Sequence, residues 1–410
     1  MCAPLLQDPD LDPLSDEQAG FLAPVVAFLD NRIAGNDDMH HPWMLTGGPG
    51  TGKTHVIRHF LAAASTREAP VLVASPTGLL AKSIGTRPGV LATTIHRAFL
   101  QEDIESLCGF LAQFSAWVIL EIGMVTQEMW DKIYFAWAAC ERWPVLLVEG
   151  DFQQMPPPVP GVIADARAAP TLPWSRAFVL HRQHRCRDPG LAAFAQSIRH
   201  VQPSAHEVTT FFMDILVSRE LTLTALESAW QRLPGAMVLC ATRATARQVN
   251  DHAVQKDSAP ELGHVSAWCD EEAGEMRRSL LLRHGTKVMV RRNLDLDTLV
   301  NGAVGCLREI TPAGLLLEID GGFEVLHARS QWVDSPAGSR LQAAYDISHA
   351  YAMTVHKAQG ASLDYGIICF EKYAPPGWGY TALTRFRTRE GLLCLGPVGP
   401  AHFRPRALVS

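Results

Sequence analysis

No Cys-x-x-Cys pair occurs anywhere in the 410 residues, and the nine cysteines are scattered and odd in number. That pattern excludes a disulfide framework and gives no zinc spacing; reduced thiols in a cytosolic compartment are expected. An excess of basic residues is also missing. Lys and Arg total 36 against 42 Asp and Glu, a net charge of −6, which excludes a protein that coats nucleic acid through bulk charge. It does not exclude a local basic groove. Long apolar runs are absent: no window approaches about 18 uninterrupted apolar residues, so no membrane span is expected. The first residues, MCAPLLQDPDLDPLSDEQ, are acidic where a signal peptide would be basic and then apolar. No internal repeat or low-complexity tract is present. These absences together predict a soluble, cytoplasmic protein.

What is there is the composition of a folded globular chain, 47% hydrophobic and 19% charged. At about 150 residues per domain the length predicts two to three domains. Apolar residues Phe21, Leu22, Val25, Val26 and Leu29 fall at helical spacing between Ser15 and Ile33, with Ser15 as N-cap. Short apolar runs follow at Trp43–Thr46, Val71–Ser75, Trp117–Glu121 and Val145–Glu149, separated by helical patterns. Such an alternation predicts a parallel sheet covered on both faces. A second alternation begins after about residue 205, with a strand at Met237–Thr242, a helix at Ala244–Val254, and strands at Gly366–Phe370 and Leu392–Leu395. Between them, residues 306–342 carry Gly, Pro and β-branched residues in short runs, the pattern of a small antiparallel insert.

GGPGTGKT, Gly47 to Thr54, matches G-x-x-x-x-G-K-[ST] between a strand and a helix. Glycines there let successive N–H groups face inward, and the helix dipole adds to them, so Gly48, Pro49, Gly50, Thr51 and Gly52 are expected to hold a polyphosphate. Lys53 would reach the β- and γ-phosphates, and Thr54 would ligate Mg²⁺. A nucleoside polyphosphate with Mg²⁺ is therefore the expected ligand. In WVILEIGMV, Trp117 to Val125, Glu121 stands where a general base would polarise water. The position before it, ordinarily an Asp that supports the metal, is Leu120, which cannot bind a cation.

The motifs GGPGTGKT, ASPTGLLAKSI (Ala74–Ile84), TTIHRAF (Thr93–Phe99), EGDFQQMPPPV (Glu149–Val159), YAMTVHKAQGASLD (Tyr351–Asp364) and GYTALTR (Gly379–Arg385) occur in that order. In this series the chain, from Gln18 to Arg387, resembles a superfamily 1 DNA helicase of the RecD-like and PIF-type branch. The resemblance implies an α/β fold with two RecD-like P-loop NTPase domains, each with a parallel sheet, and a small β-barrel-like insert in the second. The implied first domain is 1–205, with a short wedge-region insert at about 97–115. The second is 206–305 with 343–410, and the insert is 306–342.

The implied activity is ATP-dependent translocation 5′ to 3′ on single-stranded DNA, with unwinding limited by the short wedge region. Repair, recombination and replication are the implied settings, nucleoid-associated if the source is bacterial. Single-stranded DNA and DNA junctions are the implied partners, and a protein loading partner is left open. Gln18 in LSDEQ matches the adenine-reading glutamine, and Asp151 and Gln154 the γ-phosphate sensor. Arg185 and Arg385 match two arginine fingers, whose planar forks neutralise phosphoryl charge, and Gly360 lies at the nucleotide. Metal contact is assigned to Thr54, with Glu121 or Asp151 behind it. Pro76, Thr77, His96, Thr354, His356 and Lys357 match the DNA-backbone track. Cys186 stands where a Gln usually follows the first finger, and Gly123 where a Ser is usual. Trp174 and Phe178 read as core. The rival reading is an ATP- and DNA-binding module with weak or no hydrolysis because of Leu120.

Overall fold

The computed structural model describes residues 11–35, 41–85, 87–100, 104–157, 164–271, 274–294, 298–333 and 339–407. The N-terminal helix α1 (Asp16–Ile33) starts at Ser15, whose hydroxyl accepts from Gln18 N while the Gln18 side chain accepts from Ser15 N. This reciprocal cap satisfies two donors that the first turn would otherwise leave unpaired. The buried stripe Phe21, Leu22, Val25, Val26, Leu29 then turns inward.

Six parallel strands follow: β1 (Trp43–Gly47), β2 (Val71–Ser75), β3 (Val90–Thr94), β4 (Ala116–Ile119), β5 (Val145–Gly150) and β6 (Ala177–Leu180). They lie in the order β3-β2-β4-β5-β1-β6. Side chains alternate between the two faces of the sheet. On one face, Leu45, Val73, Val118, Leu120 and Leu147 pack against α1 and the P-loop helix α2 (Lys53–Ser65). On the other, Met44, Leu72, Trp117, Ile119 and Val148 pack against Trp130, Ile133 and Trp137 of the helix Gln127–Ala138.

A second parallel sheet joins Ala352–Thr354, Met237–Cys240, Gly366–Cys369, Leu392–Leu395 and Leu216–Ser218, in that spatial order. Antiparallel strands are inserted between its members. They form a hairpin, Glu261–Glu271 with Gly274–Arg283, and a ribbon, Arg329–Val333 with Arg340–Ala344. The third element is a five-stranded sheet whose edges are Gly322–Leu326 and Ile347–His349, with Lys287–Val290 beside the latter. Antiparallel pairing thus extends on both sides of residues 306–342. Its core is its own, built on Leu282, Val288, Val300, Leu307, Leu315 and Leu317.

Two local expectations shift. The strand predicted at Trp117–Glu121 ends at Ile119, because Glu121 turns into the left-handed region at φ 49° and starts a short 3-10 turn. Trp174 is not core: it is 41% exposed and touches Phe152 across the sheet end, while Phe178 packs partly buried against the first core. The interval proposed for the wedge carries the short helices Ile95–Phe99 and Ile104–Leu111, with 101–103 outside the described residues.

Candidate functional site: the cleft at the phosphate-binding loop

The loop Gly47–Gly52 leaves β1 and enters α2 through left-handed glycines, Gly50 at φ 84° and Gly52 at φ 86°. A Cβ at Gly50 would collide with the Gln183 side chain, and one at Gly52 with that of Gln18. Both positions therefore need glycine for conformation, and Gly50, where the Cβ would also press on Arg185 Cβ, needs it for space. Lys53 Nζ donates to the carbonyls of Gly47 at 2.9 Å and Gly48 at 3.3 Å, so the ammonium is held inside the loop it opens.

Gln18 is buried, with Nε2 donating to Thr51 O at 3.2 Å. Its amide thus braces the loop as well as capping α1. The segment after β6 closes on the same loop: Gln183 Nε2 donates to Pro49 O at 2.7 Å, and His184 N and Arg185 N donate to Gly50 O. Gln183 is a loop support that motif reading passed over, because nothing local in HRQHRCR marks which residue turns back.

Pro49, Gly50, Gly52, Lys53, Thr54, Glu121, Gln154, Arg185, Gly360 and Arg385 line one cleft of about 560 Å³. The two sheets both contribute to it, and four contacts tie them together at or beside it. Arg385 Nη2 donates to Gln154 Oε1 at 3.1 Å, Met155 N to Thr381 Oγ1 at 3.0 Å, and Arg406 Nη1 to Gln154 O at 3.2 Å. Tyr380 Oη donates to Asp151 Oδ2 at 3.0 Å.

Asp151 does not line the cleft. Its Oδ1 accepts from Arg199 Nη2 and Gln153 N, both at 3.0 Å, so both oxygens are already engaged. Burial alone would lower the Arg199 pKa, but the adjacent Asp151 carboxylate raises it above the ordinary value. Burial brings the fully enclosed Arg385 down to about 10, with Arg185 adding repulsion and Glu121 opposing it.

Leu120 is buried among Val73, Val118 and Leu147 and also reaches the cleft wall. Gly123 has its own reason: a Cβ there would stand 2.8 Å from the Asp151 carbonyl oxygen. Glu149, a residue the motif reading left without a role, lies one residue before the end of β5 and lines the cleft. It is 2% exposed; Oε1 accepts from Glu121 N at 3.1 Å and Oε2 meets no donor among the described residues. Burial, then the Glu121 carboxylate, pushes its pKa up to about 7 despite Lys53. A charged residue ending an otherwise apolar run was the available signal.

The donor set fits a hard divalent cation carried by a polyphosphate. Thr54 presents a hydroxyl at the cleft, and Glu121 Oε2 is a buried oxygen without a partner. Among the described residues no group of three or more His, Cys, Asp or Glu forms a cage of its own. Magnesium is suited to such a site, since it keeps phosphate and water ligands.

The residues proposed for a DNA track divide between two depressions. Pro76, Thr77 and His96 line one of about 160 Å³ beside Met124 and Pro157. Thr354 and Lys357 line another of about 150 Å³, among Arg243, Arg247, Arg278 and Arg291. His356 lines neither of them; burial holds its pKa down to about 4, with a hydrogen bond to the Pro156 backbone opposing the fall.

A family model described as an AAA domain matches residues 33–211. The chain is 28% identical over 394 residues to the ATP-dependent DNA helicase PIF1 of Homo sapiens, covering 85% of this chain and 57% of that protein. It is 25% identical over 399 residues to the ATP-dependent DNA helicase Pif1 of Bdellovibrio bacteriovorus, covering 89% of this chain and 85% of that one. Over most of its length the chain is thus similar to ATP-dependent DNA helicases of the PIF1 type, and also to the ATP-dependent RecD2 DNA helicase of Deinococcus radiodurans, at 26% identity over 92% of this chain and 48% of that one. A solved structure of two coordinating Pif1 helicases at forked double-stranded DNA superposes with a TM-score of 0.72 at 19% identity, covering 96% of this chain and 95% of that one. At that identity the likeness bears on the fold alone, and the chain shares the fold of that structure. The chain spans less than two thirds of the human relative's length. Among the described residues no helix is long and apolar enough to cross a membrane.

Proposed function

We propose that this PIF/RecD-like chain is an ATP-dependent DNA helicase or translocase moving 5′ to 3′ on single-stranded DNA. The observation that carries this reading is the single cleft into which Lys53, Thr54, Glu121, Gln154, Arg185 and Arg385 converge from both sheets. Residues 1–205 form one motor domain, 206–305 with 343–410 the other, and 306–342 the centre of the insert. Lys53 and the loop N–H groups bind the polyphosphate, and Gly360 lies against the nucleotide from the second domain. Gln18, which also braces the loop through Thr51 O, is the residue assigned to the adenine edge.

Bound magnesium would draw charge from the phosphates, with Thr54 as the protein's direct ligand. Glu121 holds the proton of the attacking water, while Arg185 and Arg385 neutralise the phosphoryl oxygens. Closure of the cleft brings Arg385 and Gln154 to the nucleotide, and Asp151 passes the change to Tyr380 across the sheets. The basic depression around Thr354 and Lys357, with His356 and the wall of Pro76, Thr77 and His96, follows the DNA backbone. DNA junctions are the expected substrates, in keeping with the forked DNA of the superposed relative.

The buried, apolar Leu120 favours a second reading, a nucleotide- and DNA-binding module that hydrolyses weakly or not at all. Phosphate release with and without single-stranded DNA separates the two. Hydrolysis stimulated by DNA and abolished by Lys53→Ala supports the motor. Nucleotide and DNA binding without stimulated release supports the module. DNA affinity is also expected to fall with salt as counterions are released.

A further inference from the structure

Glu149 occupies a place that the usual layout leaves to another strand. The last paired level of β4 and β5 is Ile119 with Val148, so the next level sets Leu120 beside Glu149. Both side chains fall on the sheet face that carries α2, since Val118, Leu120, Val145 and Leu147 share one core with the P-loop helix. Leucine at one of these neighbouring positions and glutamate at the other reverse the side of the cleft that carries charge.

Glu149 cannot be read as a solvated strand-end acid, because it is 2% exposed. Nor is it fully used by the fold. Oε1 takes the Glu121 N–H, which pins the backbone where it turns left-handed, while Oε2 is buried with no donor among the described residues, in a residue that lines the cleft. An unpaired buried carboxylate oxygen is costly, and a cation or its bound water relieves that cost.

We propose that Glu149 supplies, from β5, the magnesium-side carboxylate that position 120 lacks on β4. The inference rests on the nucleotide-binding reading of the cleft. Its ligand is a divalent cation bound with a nucleoside polyphosphate, reached directly or through a metal-bound water. Leu120 is then an exchange rather than a defect: the carboxylate has moved one strand sideways, and the vacated position has joined the core. Glu121 keeps its place, its N–H held by Glu149.

The test is calorimetric binding of ADP and of a slowly hydrolysed ATP analogue, each with Mg²⁺ and with EDTA. Glu149→Gln keeps an acceptor for Glu121 N and removes the charge. It is expected to lose about ten- to a hundredfold of the affinity gained from Mg²⁺, the range for losing a metal's supporting carboxylate, while binding in EDTA changes less than twofold. The exchanged pair Leu120→Asp with Glu149→Leu is expected to recover most of the Mg²⁺-dependent gain, which a merely structural Glu149 would not allow. A Glu149→Gln protein that keeps the full Mg²⁺ gain overturns the proposal. So does a tenfold further gain from Leu120→Asp alone. If the native chain binds neither nucleotide under either condition, the nucleotide reading of the cleft itself fails, which is a different result from metal-independent binding.

Discussion

Removing the Tyr380 hydroxyl should loosen the junction between the two sheets without unfolding either. Tyr380 sits on the helix Trp378–Leu383 of the second sheet, and its hydroxyl donates to Asp151 Oδ2 just beyond β5 of the first. The two groups are 4% and 1% exposed, so water cannot replace the lost donor. Hydrogen bonds to charged groups contribute about 1.5–3 kcal/mol. Asp151 Oδ1 keeps both Arg199 and Gln153 N at 3.0 Å, so the charge itself stays paired. The lower end of that range, about 1.5 kcal/mol, is therefore expected for Tyr380→Phe. Native-state hydrogen exchange reads such a local loss directly. Amides in 150–155 and 377–386 should exchange about tenfold faster, since about 1.4 kcal/mol is a factor of ten. Those of α2 should not change. A double-mutant cycle with Asp151→Asn should return a coupling of similar size. Exchange within twofold of native in both segments, or equal acceleration in α2, would refute the assignment of this bond as a local clasp.

Two further outcomes follow from the site. Gln183→Ala removes the 2.7 Å bond to Pro49 O, and nucleotide affinity measured by calorimetry should drop about three- to tenfold while the melting temperature holds. His356 is held neutral by burial, with its pKa down to about 4 from 6.5. A depressed histidine contributes stability that is present above pH 6.5 and lost as pH falls toward 4, here about 3 kcal/mol at most. Urea midpoints taken between pH 7.5 and pH 4 should fall less steeply in His356→Gln; parallel curves would count against burial as the cause.

The parts of the fold legible from residues alone were those whose signal is local. β2 and Leu392–Leu395 sit where their apolar runs sit, and Ser15 caps α1 as its spacing implied. The long hairpin Glu261–Glu271 with Gly274–Arg283 was not legible, because ELGHVSAWCDE mixes polar and apolar residues without a clear turn signal. The end of β4 was misplaced for a different reason. The left-handed turn at Glu121 is held by the Glu149 carboxylate, 28 residues away in sequence. Motif order brought together the loop, Glu121, Gln154 and both arginines, because each motif is short and self-contained. It missed Gln183, Glu149, Arg199 and Tyr380, whose meaning depends on partners distant in the chain.

The two arginines at the cleft are mounted on different frames. Arg185 N is bonded to Gly50 O, so that residue travels with the phosphate-binding loop. Arg385 Nε is bonded to Thr381 O, one helical turn back on the other sheet's helix. Any hinge motion between the sheets therefore changes the separation of Lys53 from Arg385 while leaving its separation from Arg185 nearly constant. A pair of spectroscopic labels on α2 and on Trp378–Leu383 would act as a ruler for any such motion, and a pair on α2 and the 183–185 segment as its fixed reference length.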